Sequence, residues 1–133
     1  MNRYLSHLGL CVLTLTSNIA IAADDSSVFS KGRTFDETGG EVLFESICQG
    51  CHMPKGEGAS GAGQYPALAN NARLISAQYP LHVVVNGQGG MPGFKKYLSD
   101  QQIADVVNYV RSHFGNEYDD TVSATDVSVF SKR

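Results

Sequence analysis

The sequence predicts an all-α fold of three or four short helices, joined by glycine-rich loops and closed around one large apolar group. Three observations predict it. Apolar residues recur at helical spacing in short runs, and no pair of alternating runs promises a lasting sheet. Between those runs lie stretches rich in glycine and nearly free of large apolar side chains, which read as loops. The apolar residues are also too sparse to fill a core unaided, so something else must occupy the middle.

The chain has 133 residues, enough for one domain. Its first stretch differs from the rest. Arg3 precedes a mostly apolar run over residues 8–16, and Ala20-Ile21-Ala22 supplies small residues at a processing spacing. This is the layout of a secretory signal peptide over residues 1–22, cleaved after Ala22 or Ala23. The run is too short for a comfortable membrane span, and no later run matches it, so no span is expected after leader cleavage. All 13 acidic residues lie after Ala22, whereas Arg3 leaves with the leader, so the remainder has a formal charge of −4. Phosphates would repel such a surface, which speaks against nucleic acid.

Residues 23–38 are polar and lack a hydrophobic period, as in a flexible arm. Thr38 and Glu41 have capping-box spacing, and residues 41–47, with Leu43, Phe44 and Ile47, read as a short helix leading into Cys48. Residues 53–65 are loop. A helix is expected within 67–77, and Pro80 suits the first turn of another running through Val85. Glycines then surround Met91. The clearest helix is the last expected one. Ser99 and Gln102 form a second capping-box spacing, and Ile103, Val106, Val107, Val110 and Phe114 follow on one face. Arg111 and His113 complement its negative end, and Gly115 suits its termination. The domain is expected over 39–115, with an extension over 116–133.

Cys48-Gln49-Gly50-Cys51-His52 carries the chemistry. It is the C-x-x-C-H signature of covalent haem attachment. Cysteines three apart on a helical turn point the same way, so both thiols can reach the vinyl groups along one porphyrin edge. The adjacent His52 then lies under the ring, where Nε2 can bind iron. A thioredoxin-like C-x-x-C needs a βαβ setting that is missing. A zinc site needs further ligands, and His82 and His113 have no ligand spacing to the motif.

With this motif, the chain resembles a class I c-type cytochrome, single-haem and of bacterial periplasmic type, over about residues 39–115. Gly40 and Phe44 lie eight and four residues before Cys48, as in that family's first helix. Tyr109 matches an aromatic that its last helix sets against the glycine. Pro66-Ala67-Leu68 is similar to the family's Pro-x-Leu, whose proline carbonyl accepts the Nδ1 proton of the ligand histidine. Gly90-Met91-Pro92 is similar to its sixth-ligand loop. The resemblance implies a cytochrome c fold around one heme c, bound covalently through Cys48 and Cys51, with iron held by His52 and Met91. Among the other methionines, Met53 adjoins His52 and cannot reach the opposite ring face, while Met1 leaves with the leader. His82 is the rival sixth ligand. Tyr65, Leu68, Leu74, Val84, Phe94 and Tyr97 are candidates for the haem pocket, and Arg73 for a propionate partner.

Two filled axial positions leave no open site for substrate, which argues for electron transfer over oxygen or peroxide chemistry. The expected function is a periplasmic carrier of single electrons, rather than an enzyme. It would take electrons from a flavin- or quinone-dependent dehydrogenase and pass them to a terminal oxidase or another cytochrome. A tightly bound haem subunit of such a dehydrogenase is the alternative, followed by a haem peroxidase or gas sensor. Lys55, Lys95 and Lys96, near the motif and the Met91 loop, are either a docking ring for an acidic redox partner or ordinary solvated surface.

Overall fold

The computed structural model describes residues 34–132. The expected leader and most of the N-terminal arm lie outside the described residues.

The first helical run is continuous but changes pitch. Helix α1 (Gly40–Leu43) passes into a π-helical turn (Phe44–Cys48) and then into α2 (Gln49–His52). Leu43 and Phe44 are buried. Thr38 is not the cap that its spacing predicts. Gly39, at φ 86°, takes that position with no side-chain capping bond. The reason is tertiary: the Gln102 amide donates to the carbonyls of Phe35 and Glu37, both at 2.8 Å, and so sets how the chain enters the helix.

A small antiparallel hairpin follows, β1 (Ala59–Ser60) with β2 (Gln64–Tyr65), where no sheet is expected. The helix expected within 67–77 shrinks to a 3-10 turn over Ala72–Ile75, capped by the Asn71 side chain. Residues before it are drawn into hydrogen bonds with neighbouring loops, which leaves them unavailable for a helical ladder. Helix α3 (Gln78–Asn86) holds Pro80 in its first turn, where the missing N–H costs nothing, and buries Pro80, Leu81 and Val85.

Helix α4 (Asp100–Ser112) begins as its sequence predicts. Ser99 accepts from the Gln102 N–H, and the Gln102 side chain accepts from the Ser99 N–H. Such a cap contributes about 1 kcal/mol. Ile103, Val106, Val107 and Val110 are buried as one stripe. The helix ends at His113 rather than running to a Gly115 stop, and Phe114 turns back at φ 59°.

Helix α4 is not the last. Residues 116–123 return along it to α5 (Ala124–Ser131), which packs on α3 and α4. Asn108 on α4 pairs with the Val122 backbone in both directions, at 2.8 Å each. Arg111 stands in the last turn of α4, as expected, and is fully buried there. Its guanidinium donates to the carbonyls of Leu74, Ile75 and Asp120 and pairs with the Asp120 carboxylate at 2.5 Å. One side chain thus joins α4, the 3-10 turn and the extension.

The core lies where α1 crosses α4. A Cβ on Gly40 would collide with the Asp105 carbonyl and stand 2.5 Å from Tyr109 Cβ. Glycine is what allows the two backbones to approach. Phe44 fills the space beside this crossing, its ring 5.8 Å from Tyr109 and 4.8 Å from Phe114.

Candidate haem site

The site is assembled from the end of the first helical run and two loops. On one side, α2 delivers Cys51, which is exposed, and His52, which is 8 % exposed. The imidazole Nδ1 lies 2.9 Å from the Pro66 carbonyl oxygen. A carbonyl can only accept, so Nδ1 carries the proton and Nε2 is left with its lone pair for a metal. The loop between the two residues is bound to His52 and to the segment just after Pro66. Gly58 N–H donates to the His52 carbonyl at 2.9 Å, and Leu68 N–H donates to the Gly56 carbonyl at 2.7 Å. At Gly58, φ is +69°, and a Cβ would stand 2.6 Å from Ala67 N and 2.8 Å from the Pro66 carbonyl carbon. Only glycine lets this loop lie against the proline that meets His52.

On the other side, α3 ends at Asn86 and the chain turns through a two-bond bridge. Gln88 and Met91 exchange N–H···O bonds, both 3.0 Å. Phe94 N–H then donates to the Val84 carbonyl at 2.8 Å, returning the chain against α3. The Met91 loop is therefore held at both ends although it is rich in glycine. Met91 faces an apolar pocket whose walls include Leu43, Ile47, Cys48, Val84, Phe94 and Val106.

The pocket and its donor set fit a haem. The wall is apolar, as a porphyrin face requires. A thiol and a thioether line it, and a second thiol and a buried imidazole follow on the adjoining turn. Cys48 and Cys51 are both free. Burial, and next the neighbouring Cys51, push the Cys48 thiol up to about 12, so it is protonated at neutral pH. Disulfide oxidoreductases need the opposite, a lowered thiol that attacks as thiolate.

The predicted lining divides. Val84 and Phe94 face the pocket, and Leu68 packs against the core beside it. Leu74 is buried, with its carbonyl held by Arg111. Tyr65 and Tyr97 stand on the surface, 43 % and 42 % exposed. Leu43, Ile47, Leu98 and Val106 line the pocket and went unnoticed as lining. Their helical spacing marks them as buried, but periodicity cannot separate a wall against protein from a wall against a cofactor. The Arg73 backbone N–H donates to the Asn71 side chain, and Arg73 is exposed. Lys55 and Lys96 are exposed, and the Lys95 ammonium approaches Asn86 Oδ1 at 3.4 Å. His82 sits exposed on α3 beside Asn86, and His113 stacks on Tyr109.

Residues 36–110 match the family described as cytochrome C oxidase, cbb3-type, subunit III. Three relatives illustrate the range of similarity. The chain is 38 % identical over 102 residues to the cytochrome c subunit of a quinone alcohol dehydrogenase from Gluconobacter oxydans, a stretch covering 67 % of this chain and 21 % of that protein. It is 32 % identical over 145 residues to the gluconate 2-dehydrogenase cytochrome c subunit of Pantoea cypripedii, covering 98 % of this chain and 32 % of the relative. It is 35 % identical over 79 residues to cytochrome c6 of Leptolyngbya boryana, covering 56 % of this chain and 89 % of the relative. The chain thus spans a fifth to a third of these dehydrogenase subunits.

Proposed function

We propose, because this chain belongs to the cytochrome c family, that it passes single electrons across the periplasm from a dehydrogenase through one haem held by Cys48, Cys51, His52 and Met91. Membership makes it an electron carrier with covalently bound haem c. The residues that hold the haem, the compartment and the partners are our reading. When bound, the haem iron supplies the one-electron chemistry by cycling between ferric and ferrous states. The chain's own residues do the rest. Cys48 and Cys51 would hold the porphyrin edge through thioether bonds, each formed by addition of S–H across a vinyl group. His52 offers Nε2 to iron because Pro66 holds the proton on Nδ1. The Met91 thioether would supply the second protein ligand to the iron and would favour its ferrous state. The apolar wall excludes water and thereby limits the charge rearrangement that accompanies each transfer.

The observation that carries the reading is that Cys48 and Met91, distant in sequence, line one apolar pocket while His52 is tied to Pro66. The names of the relatives support a dehydrogenase as donor. Several are cytochrome subunits of dehydrogenases, which also favours a second reading, a haem subunit bound within such a complex. Co-purification of a dehydrogenase through gel filtration would favour the bound subunit, and a lone haem protein that the dehydrogenase reduces would favour the carrier. The acceptor is then a terminal oxidase or another cytochrome.

Met91→Ala tests the ligand pair. The variant should keep its covalent haem, since both cysteines remain, yet bind carbon monoxide where wild type does not. Its potential should fall, because the thioether's preference for ferrous iron is lost. Wild type that binds carbon monoxide readily, together with an unmoved potential in the variant, would remove Met91 as ligand and point to a sensor or peroxidase.

A further inference from the structure

We propose that Asn116 is a positioning residue for the haem-ligand histidine, acting through the segment that carries Pro66. The inference rests on the reading above that His52 is the axial ligand, and it concerns a residue beyond the family match, which ends at residue 110.

Asn116 is polar, yet only 3 % exposed. Its side chain is fully committed. The amide Nδ2 donates to the Leu68 carbonyl at 2.9 Å and to the Val110 carbonyl at 2.8 Å, while Oδ1 accepts from Asn71 N–H at 2.9 Å. Val110 belongs to α4, so Asn116 fastens the segment 66–71 to the end of that helix. Other bonds reinforce the attachment. Asn70 N–H donates to the Phe114 carbonyl at 3.0 Å, and Asn71 Nδ2 donates to the Ala67 carbonyl at 2.7 Å.

The segment is held from the opposite side by Gly56, whose carbonyl accepts from both Leu68 and Ala69 N–H. Leu68 is therefore suspended, its N–H on the haem-side loop and its carbonyl on Asn116. Two residues earlier, the Pro66 carbonyl meets His52 Nδ1. Pro66 itself is exposed, and the Gly58 backbone packs against its carbonyl without hydrogen-bonding to it. The alignment of that acceptor is inherited from its neighbours, and Asn116 supplies two of the hydrogen bonds that restrain them. A well-aligned acceptor on Nδ1 raises the basicity of the ligating nitrogen and stabilises the ferric state.

The test uses Asn116→Ala and Asn71→Asp in the haem-loaded protein. Asn71→Asp keeps an oxygen for Arg73 N–H but cannot donate to Ala67, and it serves if Asn116→Ala does not fold. Val127→Ala, in the buried face of α5, is a control that is destabilised away from the segment. In Asn116→Ala the ferrous form should gain about threefold, roughly 30 mV at 59 mV per tenfold for one electron, and the His52 Nδ1 proton should exchange faster by NMR. Asn71→Asp should speed the exchange by less, its potential being set aside because the added negative charge favours ferric iron, and Val127→Ala should move neither readout. Exchange equal to wild type in both asparagine variants, with the Asn116→Ala potential unmoved, would overturn the proposal. So would an equal shift in Val127→Ala, since loss of stability alone would then explain it. If the His52 ring protons of wild type lack the hyperfine shift of an iron ligand, the functional reading fails on its own account.

Discussion

Gly40 shows how one residue's missing side chain governs the fold. It faces the Asp105 carbonyl and the Tyr109 Cβ, both parts of α4 that cannot swing aside. Gly40→Ala should therefore push α1 away from α4 and cost about 1–3 kcal/mol or more, since overpacking a close contact forces backbone shifts. Chemical denaturation of the haem-loaded protein measures this, and an unchanged midpoint would mean that the crossing relaxes freely. His52 illustrates a different kind of dependence. Its motif identifies it, but the tautomer that frees Nε2 depends on the Pro66 carbonyl. Cys48 differs again: its burial in the pocket wall, and next the neighbouring Cys51, raise that thiol, and the burial is not visible in the motif.

Among the elements, α4 and α5 start with the same device but were not equally legible. Ser99 precedes a long apolar stripe, so its cap is visible in the sequence. Ser123 also begins a capping box, with Asp126 at the third position, yet α5 is short and its burial comes from α3 and α4. Isolated helices of this length are marginal in water, so tertiary contact decides whether the segment is a helix. Asp126 adds a pH dependence. Hydrogen bonds from the Ser123 side chain, and then its backbone, hold the Asp126 carboxyl below its usual 3.8. A folded value below the unfolded one contributes stability above pH 3.8 that is lost as pH falls through the depressed folded value. Protection factors of the α5 amides, corrected for the intrinsic exchange rate at each pH, should therefore fall on acidification below that range in wild type, and less in Asp126→Asn. Identical acid profiles for the two proteins would assign the effect to other carboxylates.

At the scale of the whole molecule, the helices surround a pocket that protein atoms leave open. The wall residues Leu43, Ile47, Val84, Phe94 and Val106 come from the first helical run, α3, α4 and the Met91 loop. Leu43 and Val106 are already covered by protein, but Ile47, Val84 and Phe94 are only partly buried, so the haem would complete their packing. The doubly substituted Cys48→Ala, Cys51→Ala protein, expressed without covalent haem, should be largely unfolded by far-ultraviolet circular dichroism at room temperature. A cooperative native-like melt of that protein would show that the helices and the Arg111 attachment suffice. Arg111 matters at this scale because it joins three separate segments, so the extension is part of the folded body among the described residues.

The Gly40 approach came from the resemblance to a family rather than from spacing, while the local patterns were enough to determine the haem-attachment motif, the α4 helix with its cap and the presence of loops around Met91. These depend on residue types at short, regular spacing, where backbone geometry alone dictates what can meet. The tertiary structure decided the rest. It made Gly39 rather than Thr38 the start of α1, reduced the segment after Leu68 to a 3-10 turn, turned Tyr65 and Tyr97 outward, and buried Arg111. It also ordered α5 and brought Asn116 to the Pro66 segment. In each case the deciding partner is far away in sequence, and the free energy of satisfying a buried polar group or covering an apolar face outweighs the weak local preference.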